Sequence, residues 1–531
     1  LAACSATPAE QKNGNGGSGG DVSSGGSGPD PSSVCGDSKV GPPRLRRLSR
    51  DELLNTLSDV FPGVQGYTPV LSADGVSKHG FDNDSSLLVV GKQTASELDR
   101  TADAVATVVS GTALGTLLPC AQSAADAACA SEFLAKYGKR LFRRPLSEAE
   151  SARYLGLFQE ASSATDFASG IRFVTRALIQ SPHVVYRREV GVASGKAYQL
   201  SQHELAAALA YDFSGTAPSD ELLAQADAGQ LATPTAREAA ARALLSSDKG
   251  MATVEKFFNS WLGYGRTSSV TKPGVQEFEG LRDQMVAETR RFLGEVVVAR
   301  GGGLDELLTA SFTTPSASLA RFYGFPAPAA DYEVVERPAG RGIGILAQAS
   351  LLAVLSTPEG SSPTRRGLMV MERLLCREKP TVPADVPVLS APQPGQLTTR
   401  QRYEQAHAAA GSCKGCHAHF DPIGFAFEHF DEVGRYREQD GGLPIDTASY
   451  VPLEGTELFR FDGLEELAQG LAAEQLPYEC ATGYLSTYVF GSAEACLGET
   501  RRGEFIAGQL GFIDYLASLA AEPHFAERRL P

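Results

Sequence analysis

One pentad, Cys413-Lys414-Gly415-Cys416-His417, carries the most specific chemistry in this sequence. Residues at i, i+3 and i+4 lie on one face of a helical turn. Cys413 and Cys416 can therefore each form a thioether with a porphyrin vinyl group, and His417 can place a ring nitrogen on the iron. Because this spacing is the attachment sequence of a c-type haem, it predicts one covalent haem c with His417 as an axial ligand.

Three other uses of two thiols and an imidazole are a disulfide, half of a zinc site and a thioredoxin-like pair. A zinc site needs about four ligands, but the chain has no second C-x-x-C. His419 could join His417 only through a tight His-x-His spacing. A thioredoxin-like pair needs a βαβ pattern around it, which the surrounding sequence lacks. The pentad therefore favours haem, and these three uses stay as alternatives.

Net charge and hydropathy restrict the classes of partner. The chain has 531 residues, with 48 Lys and Arg against 63 Asp and Glu, which gives a formal net charge of −15. An acidic chain without a basic patch argues against a nucleic-acid partner. No apolar run reaches the length of a transmembrane helix. We therefore expect no nucleic acid as partner, and membrane contact only through an attached lipid.

The first residues, Leu1-Ala2-Ala3-Cys4, resemble a bacterial lipobox, in which small residues precede the cysteine that receives the lipid. A stretch rich in Gly and Ser follows, as is typical of a flexible tether. An ordinary cysteine near an arbitrary start is the alternative. The pattern predicts a lipoprotein anchored through Cys4 in the bacterial cell envelope, either in the periplasm or at the outer-membrane surface.

The remaining cysteines agree with a location outside the cytoplasm, where bacteria also attach haem to thiols. Six are left after Cys4 and the two of the pentad are set aside. An even number in that compartment predicts disulfides. Short separations favour two local bridges, and the third follows by elimination. The predicted pairs are Cys120–Cys129, Cys480–Cys496 and Cys35–Cys376.

Helical periodicity dominates the sequence after the tether. Three helix starts carry a capping box, in which a Ser precedes a Glu by three residues. Strand signals are few and fall at 332–335 and 447–451. These patterns predict a mainly α protein of several helical modules, with a cytochrome c-like haem-binding region and a few short strands. The three capping boxes are Ser49 with Glu52, Ser147 with Glu150, and Ser201 with Glu204.

The second axial ligand of the iron separates electron transfer from the binding of a small molecule. Met369 and Met371 lie nearest the pentad among the methionines and are the candidates, although a helical Met often only fills a core. His429 is a histidine candidate, whereas His419 could reach the opposite face only through a sharp chain reversal. An iron without a second protein ligand is the remaining alternative.

Arg365 and Arg366 are candidates for contact with the haem propionates, because a guanidinium pairs with a carboxylate through two hydrogen bonds. A solvated pair of charges at a helix start would produce the same pattern. No Ser-His-Asp set, phosphate-binding glycine loop or H-E-x-x-H motif is present.

The loop that contains Asp82, Asn83 and Asp84 is a candidate calcium site. Their three side-chain oxygens are acceptors of the kind that calcium prefers. The same residue types are also typical of turns, in which they hydrogen-bond the local backbone. Calcium is therefore the less favoured of the two interpretations.

Five blocks of the chain carry a shared resemblance. They are 46–53 with 80–83, Leu141 to Ser147, Gln180 to Arg187 with 258–262, Ser362 to Gly367 with 413–417 and 421–428, and 480–491. Together these blocks resemble a family of large secreted proteins of planctomycetes and myxobacteria. That family is built from the domains of unknown function DUF1587, DUF1595, DUF1592, DUF1588 and DUF1585, and is described as cytochrome-associated. Relatives often carry Met where this chain has Phe420, so a haem ligand at that position is not expected here.

The resemblance implies a module order but no settled reaction. We expect an electron-transfer protein with a redox partner, either a protein or a small donor or acceptor. The alternatives are a haem-dependent peroxidase- or oxygenase-like enzyme with an open distal side, and a cell-surface binding protein, for example for polysaccharide. The expected segments are the anchor and tether at 1–43, followed by DUF1587-like 44–118, DUF1595-like 119–192, DUF1592-like 193–330, DUF1588-like 331–440 with the haem motif, and DUF1585-like 441–531.

Overall fold

The computed structural model describes residues 40–64, 67–380, 396–409, 411–491 and 499–529. Within these ranges the chain is mainly α-helical with a few short strands, which confirms the predicted fold class. The same ranges contain no helix that is both long and apolar enough to cross a membrane. The predicted lipobox and tether lie outside the described residues.

The N-terminal helices pack around an apolar core of their own, in which Phe61 stacks on Tyr137 with ring centroids 5.3 Å apart. The hydroxyl group of Tyr137 donates to the carbonyl of Leu117 at 2.7 Å, so its polar end is satisfied inside the core. The helices of this group, including short 3₁₀ and π segments, are Arg50–Val60, Lys92–Ser110, Leu114–Leu117, Pro119–Gln122, Ala127–Phe133, Leu134–Gly138, Lys139–Phe142, Glu148–Ala164, Phe167–Ile179 and Pro182–Val185.

All three predicted capping boxes are present. The hydroxyl oxygen of Ser49 accepts from the backbone N–H of Glu52 at 3.2 Å, and the Glu52 carboxylate accepts from the backbone N–H of Ser49 at 2.6 Å. Two otherwise unpaired backbone donors are thereby satisfied at the helix start. The same reciprocal pairs form between Ser147 and Glu150 and between Ser201 and Glu204.

Most of the remaining helices contribute to a second and larger core, in which Trp261 is 1% exposed and donates its indole N–H to the carbonyl of Arg373 at 2.9 Å. The helix Ala317–Tyr323 instead packs in a third, smaller core with Phe278 and Met285. The remaining helices are Gln202–Ser214, Asp220–Asp227, Pro234–Leu245, Asp248–Leu262, Tyr264–Ser269, Phe278–Leu293, Gly294–Ala299, Leu304–Thr309, Ala317–Tyr323, Ile345–Ala347, Ala349–Val354, Pro363–Arg373, Thr399–Ala409, Gly411–His417, Asp421–Gly424, Phe425–Phe427, Gly463–Ala473, Gln475–Phe490, Glu499–Ile506, Phe512–Ser518, Leu519–Ala521 and Pro523–Ala526.

The strands form small antiparallel sheets between the helices. Both predicted strand regions contain strand structure, shifted by one to three residues at their starts, at Val335–Glu336 and Ala448–Leu453. The pairs are Arg44–Arg47 with Tyr186–Glu189, Phe312–Thr313 with Val335–Glu336, Gln439–Asp440 with Leu443–Pro444, and Ala448–Leu453 with Thr456–Asp462, while Ala197–Gln199 lies between Val192–Ser194 and Glu527–Arg529.

A buried cluster of charges connects the two ends of the described chain to its middle. The fully buried carboxylate of Glu189 accepts from Arg44 at 2.7 Å, from Arg187 at 2.8 Å, and from Arg528. Arg187 also donates to Asp212 at 2.7 Å. These guanidinium groups hold the pKa of Glu189 well below its usual value. The cluster therefore joins the first strand, the second strand, the helix Gln202–Ser214 and the last strand through paired charges.

His524 lies beside this cluster and makes the stability of the fold depend on pH. Its side chain is buried, and its Nδ1 accepts from the backbone N–H of Gly41 at 3.2 Å. Burial, assisted by the nearby charges of Arg44 and Arg528, lowers the pKa of His524 from 6.5 to about 3. Between these two pKa values the unfolded chain binds a proton that the folded chain excludes. The free energy of unfolding therefore falls with falling pH, by about 1.4 kcal/mol per pH unit from this residue alone.

We expect His524→Gln, which keeps an acceptor for Gly41, to remove this contribution. Lowering the pH from about 7 to about 5 should reduce the free energy of unfolding of the wild-type protein by about 2 kcal/mol more than that of the variant. Urea unfolding of both proteins at the two pH values measures the difference. Equal losses in the two proteins would show that His524 does not exclude the proton.

Two disulfides are present among the described residues. The bridge Cys120–Cys129 confirms one prediction. The other joins Cys376 to Cys480, which are 104 residues apart. The sequence-based pairing failed because it favoured short separations, whereas the end of the helix Pro363–Arg373 lies against the helix Gln475–Phe490 in the folded chain. Two predicted bridges are therefore wrong, Cys480–Cys496 and Cys35–Cys376, and their other partners, Cys35 and Cys496, lie outside the described residues.

Candidate functional site

The pentad lies on the short helix Gly411–His417, as its spacing predicted. Cys413 and Cys416 are both free thiols and both partly exposed. They are three residues apart on one turn, so their side chains lie on the same face. A side chain at Gly415, between them, would meet no atom within 4 Å. The two thiols can therefore be reached from solvent.

The ring of His417 is oriented by a carboxylate four residues later in the sequence. Its Nδ1 lies 3.0 Å from Oδ2 of Asp421. The hydroxyl group of Thr364 donates to Oδ1 of the same carboxylate at 2.6 Å and lies 3.5 Å from Nδ1 of His417. The ring of Phe420 packs edge-on against the imidazole with centroids 4.9 Å apart. Because Nδ1 faces the carboxylate, Nε2 is the ring nitrogen directed away from it.

Two glycines allow the backbone approach that brings Thr364 to Asp421. The helix Pro363–Arg373 crosses the short helix Asp421–Gly424. A Cβ atom at Gly367 would lie 1.9 Å from the carbonyl oxygen of Phe420, and one at Gly424 would lie 2.0 Å from that of Pro363. Only glycine fits at such a backbone contact. Gly367, the glycine of the block 362–367, therefore allows the two helices to approach closely enough for Thr364 and Asp421 to hold His417.

The structure places the two predicted propionate contacts in different surroundings. Arg366 is fully buried, and its Nη atoms donate to the carbonyl groups of Phe427 at 3.0 Å, Phe430 at 2.7 Å and Asp431 at 2.6 Å. Burial lowers its pKa to about 10. These contacts give Arg366 a structural role, in which it holds the backbone after the short helix. Arg365 is exposed, so its contact with a propionate stays a prediction.

The structure separates the two methionine candidates from His417. Both follow Thr364 in the same helix, by five and seven residues, which corresponds to about 7 and 10 Å along the helix axis. Met369 is 5% and Met371 is 1% exposed, and both belong to the large apolar core. His429 is also engaged, because its Nδ1 lies 2.9 Å from the carbonyl oxygen of Arg437. These positions fit core packing, and the second axial ligand stays a prediction.

A buried carboxyl group near the site was not anticipated from the sequence. Glu428 is 2% exposed, and its Oε2 accepts from Ser361 and from Arg437, each at 3.0 Å. Burial raises the pKa of Glu428. The cluster joins the chain before Pro363 to the chain after Phe427. Like Arg366, it fixes the two segments that bring Thr364 and Asp421 together.

In the calcium candidate loop, a lysine occupies the position that a cation would take. The ammonium group of Lys256 lies 2.8 Å from Asp51 and 2.8 Å from Oδ2 of Asp82. Within the residues that the structure describes, no group of three or more His, Cys, Asp or Glu side chains is placed to hold a metal ion. Calcium binding at Asp82, Asn83 and Asp84 stays a prediction without structural support.

The fold and the site together define a mainly α, multi-module protein in which two free thiols and an imidazole lie on one short helix. Four family models match it in tandem, each described as a protein of unknown function. The chain belongs to the multi-module family in which these domains follow one another, as its sequence blocks implied. The matches are DUF1587 at residues 46–129, DUF1595 at 129–189, DUF1592 at 200–325 and DUF1588 at 341–440.

The pentad, Thr364 and Asp421 all fall within the residues that match DUF1588. Domains of this family are associated with cytochromes by their family context. No curated protein and no solved structure was found to match the chain. The segment boundaries given above, and the DUF1585-like assignment of 441–531, stay predictions.

Proposed function

We propose that the chain is an extracytoplasmic, lipid-anchored, monohaem c-type cytochrome-like protein that transfers electrons. Its redox partner is a protein or a small electron donor or acceptor. The observation that carries this proposal is the state of the pentad. Two free thiols share one helical turn, and the imidazole that follows them is oriented by a buried carboxylate.

The contrast between the cysteines supports the proposal. Every other cysteine in the described part of the chain forms a disulfide, either Cys120–Cys129 or Cys376–Cys480. Disulfides persist in oxidising compartments, where two reduced thiols side by side are prone to oxidation. Thioether bonds to a haem would remove both thiols from that reaction. The donor set therefore fits a covalently attached haem better than a pair of structural cysteines.

Each residue of the site has a distinct role in this proposal. Cys413 and Cys416 would hold the haem by thioether bonds, and His417 would supply the imidazole for the iron. When bound, the haem supplies a reversible one-electron change between ferric and ferrous iron. Asp421 keeps the imidazole in one orientation, and a hydrogen bond of this kind also fixes which ring nitrogen carries the proton. Arg365 is exposed, donates through Nη1 to the carbonyl of Ser356 at 2.7 Å, and is the candidate for contact with a propionate.

The burial of Met369 and Met371 favours one second candidate function. If neither sulfur reaches the iron, the sixth position is open to oxygen, peroxide or another small molecule. The chain would then be a haem-dependent peroxidase- or oxygenase-like enzyme with His417 as the proximal ligand. The two candidates share the attachment site and differ only in what occupies the distal side.

A visible spectrum separates the two candidates. We expect protein purified from a host that matures c-type cytochromes to show the sharp ferrous bands of a low-spin haem, unchanged by carbon monoxide, because both axial positions are filled. A high-spin spectrum that shifts with carbon monoxide would instead support the enzyme. A colourless preparation from the same host, checked with a known c-type cytochrome, would contradict both.

The location outside the cytoplasm is supported by the two disulfides, which are rare in the cytoplasm of mesophilic bacteria. The lipid anchor rests on the sequence Leu1-Ala2-Ala3-Cys4 and the Gly- and Ser-rich stretch after it. Together they support the proposal of a location at the bacterial cell envelope, where cytochromes c receive their haem.

A further inference from the structure

The contact between Asp421 and His417 differs from an ordinary surface ion pair. The Asp421 side chain is 7% exposed, and that of His417 is 21% exposed. The carboxylate accepts from Thr364 through Oδ1 and faces the imidazole through Oδ2. Its position is fixed by the close crossing of the two helices at Gly367 and Gly424. The carboxylate therefore has little freedom to turn away from the ring.

A buried carboxylate in this position affects the electronic character of the imidazole. When it accepts the N–H of Nδ1, it makes the other ring nitrogen a stronger electron donor. It also places a negative charge near the iron that Nε2 would hold, in surroundings where water screens charge weakly. Both effects favour ferric iron over ferrous iron, because the ferric form carries one more positive charge. The group also restricts rotation of the ring.

We propose that Asp421 is a positioning residue that sets the reduction potential of the haem through His417, and that Thr364 limits its effect. This inference rests on the proposed function, because it requires iron on His417. The hydroxyl group of Thr364 draws electron density from the carboxylate and so weakens its pull on Nδ1–H. Asp421 lowers the potential, and Thr364 raises it partway back.

Two substitutions test the proposal because they should move the potential in opposite directions. Asp421→Asn removes the negative charge and should raise the midpoint potential, with a change of about tenfold in the reduction equilibrium, or about 59 mV. Thr364→Val removes the hydrogen bond to the carboxylate, together with the longer 3.5 Å contact to Nδ1 of His417, and should lower the potential by a smaller amount. Spectroelectrochemical titration of the full-length haem-loaded proteins measures both shifts.

The control is Glu404→Gln on the neighbouring helix Thr399–Ala409. Glu404 is exposed and pairs with Arg400 at 2.9 Å. Glu404→Gln removes one negative charge, as Asp421→Asn does, but at an exposed position on another helix. The potential of this variant should therefore stay at the wild-type value. The amount of covalent haem and the midpoint of urea unfolding should be recorded for every variant.

The outcomes separate this proposal from the proposed function. Wild-type protein without covalent haem overturns both. Haem attached in every variant, with an unchanged potential in Asp421→Asn, overturns the role of Asp421 and leaves the haem protein standing. A shift of both variants in the same direction also overturns it, because general loosening of the helix crossing would explain that result. If Asp421→Asn does not retain haem, the sign of the shift in Thr364→Val decides.

Discussion

Replacing Cys376 and Cys480 together by Ala is expected to lower the free energy of unfolding by about 4–5 kcal/mol. The reason is the long stretch of chain that the bridge closes, since the two cysteines are 104 residues apart. A bridge over such a loop removes much of the conformational freedom of the unfolded chain. The loop also contains the helix Gly411–His417, which carries the pentad. Urea unfolding followed by circular dichroism measures the change.

The bridge Cys120–Cys129 provides the matched control, because it closes only a short loop. Replacing these two cysteines by Ala should cost about 2–3 kcal/mol, clearly less than the loss for the long bridge. If the two double variants lost the same stability, loop length would not govern the effect. The long bridge would then have to act through local contacts instead, such as that between Cys480 and the carbonyl of Arg373 at 3.5 Å.

The second large effect is expected for Glu189→Gln, which should destabilise the fold by about 3–5 kcal/mol at neutral pH. The substitution keeps the shape of the side chain but leaves the buried guanidinium groups of Arg44, Arg187 and Arg528 with one carboxylate fewer. An unpaired charge away from water is costly, even where the intact pair adds little. Because the cluster joins both ends of the described chain, we expect a lower urea midpoint for the whole protein.

Asp99→Asn is the control for Glu189→Gln, because Asp99 forms an exposed ion pair with Arg176 at 2.6 Å. That change should cost less than about 1 kcal/mol, since exposed pairs contribute little. The low pKa of Glu189 adds a dependence on pH. Its stabilisation is complete above the pKa of an unfolded glutamate and is lost as the pH falls toward the folded value. The free energies of unfolding of the two variants should therefore become more similar in strong acid. Equal losses of stability in the two variants at neutral pH would contradict this role of Glu189.

Local features of this fold could be predicted from the sequence, because they depend on neighbouring residues. A serine followed by Glu three residues later marked the starts of the helices after Ser49, Ser147 and Ser201. The i, i+3, i+4 spacing of the pentad similarly placed Cys413 to His417 on one helix. In each case the signal is a short-range hydrogen bond or a helical period. Both depend only on residues that are close in the sequence.

Contacts between distant segments could not be predicted in the same way. The partner of Cys376 is Cys480, which lies beyond the pentad in the sequence. Arg366 was predicted as a contact for a haem propionate, with a solvated charge as the alternative, but backbone carbonyl groups of residues 427–431 surround it. Asp421 did leave a signal, because it follows His417 by four residues, the spacing of neighbours on a helix. No sequence pattern indicated Thr364, because its contact with Asp421 depends on how the helix Pro363–Arg373 crosses the helix Asp421–Gly424.

The central claim is that a haem is covalently bound through Cys413 and Cys416. The most direct test is the mass of the proteolytic peptide that contains both cysteines, from protein made in a host that matures c-type cytochromes. The account predicts a peptide heavier by one haem, with neither sulfur open to alkylation, and no such peptide from Cys413→Ser with Cys416→Ser. A peptide of unmodified mass, with two alkylated thiols or one internal disulfide, would contradict it.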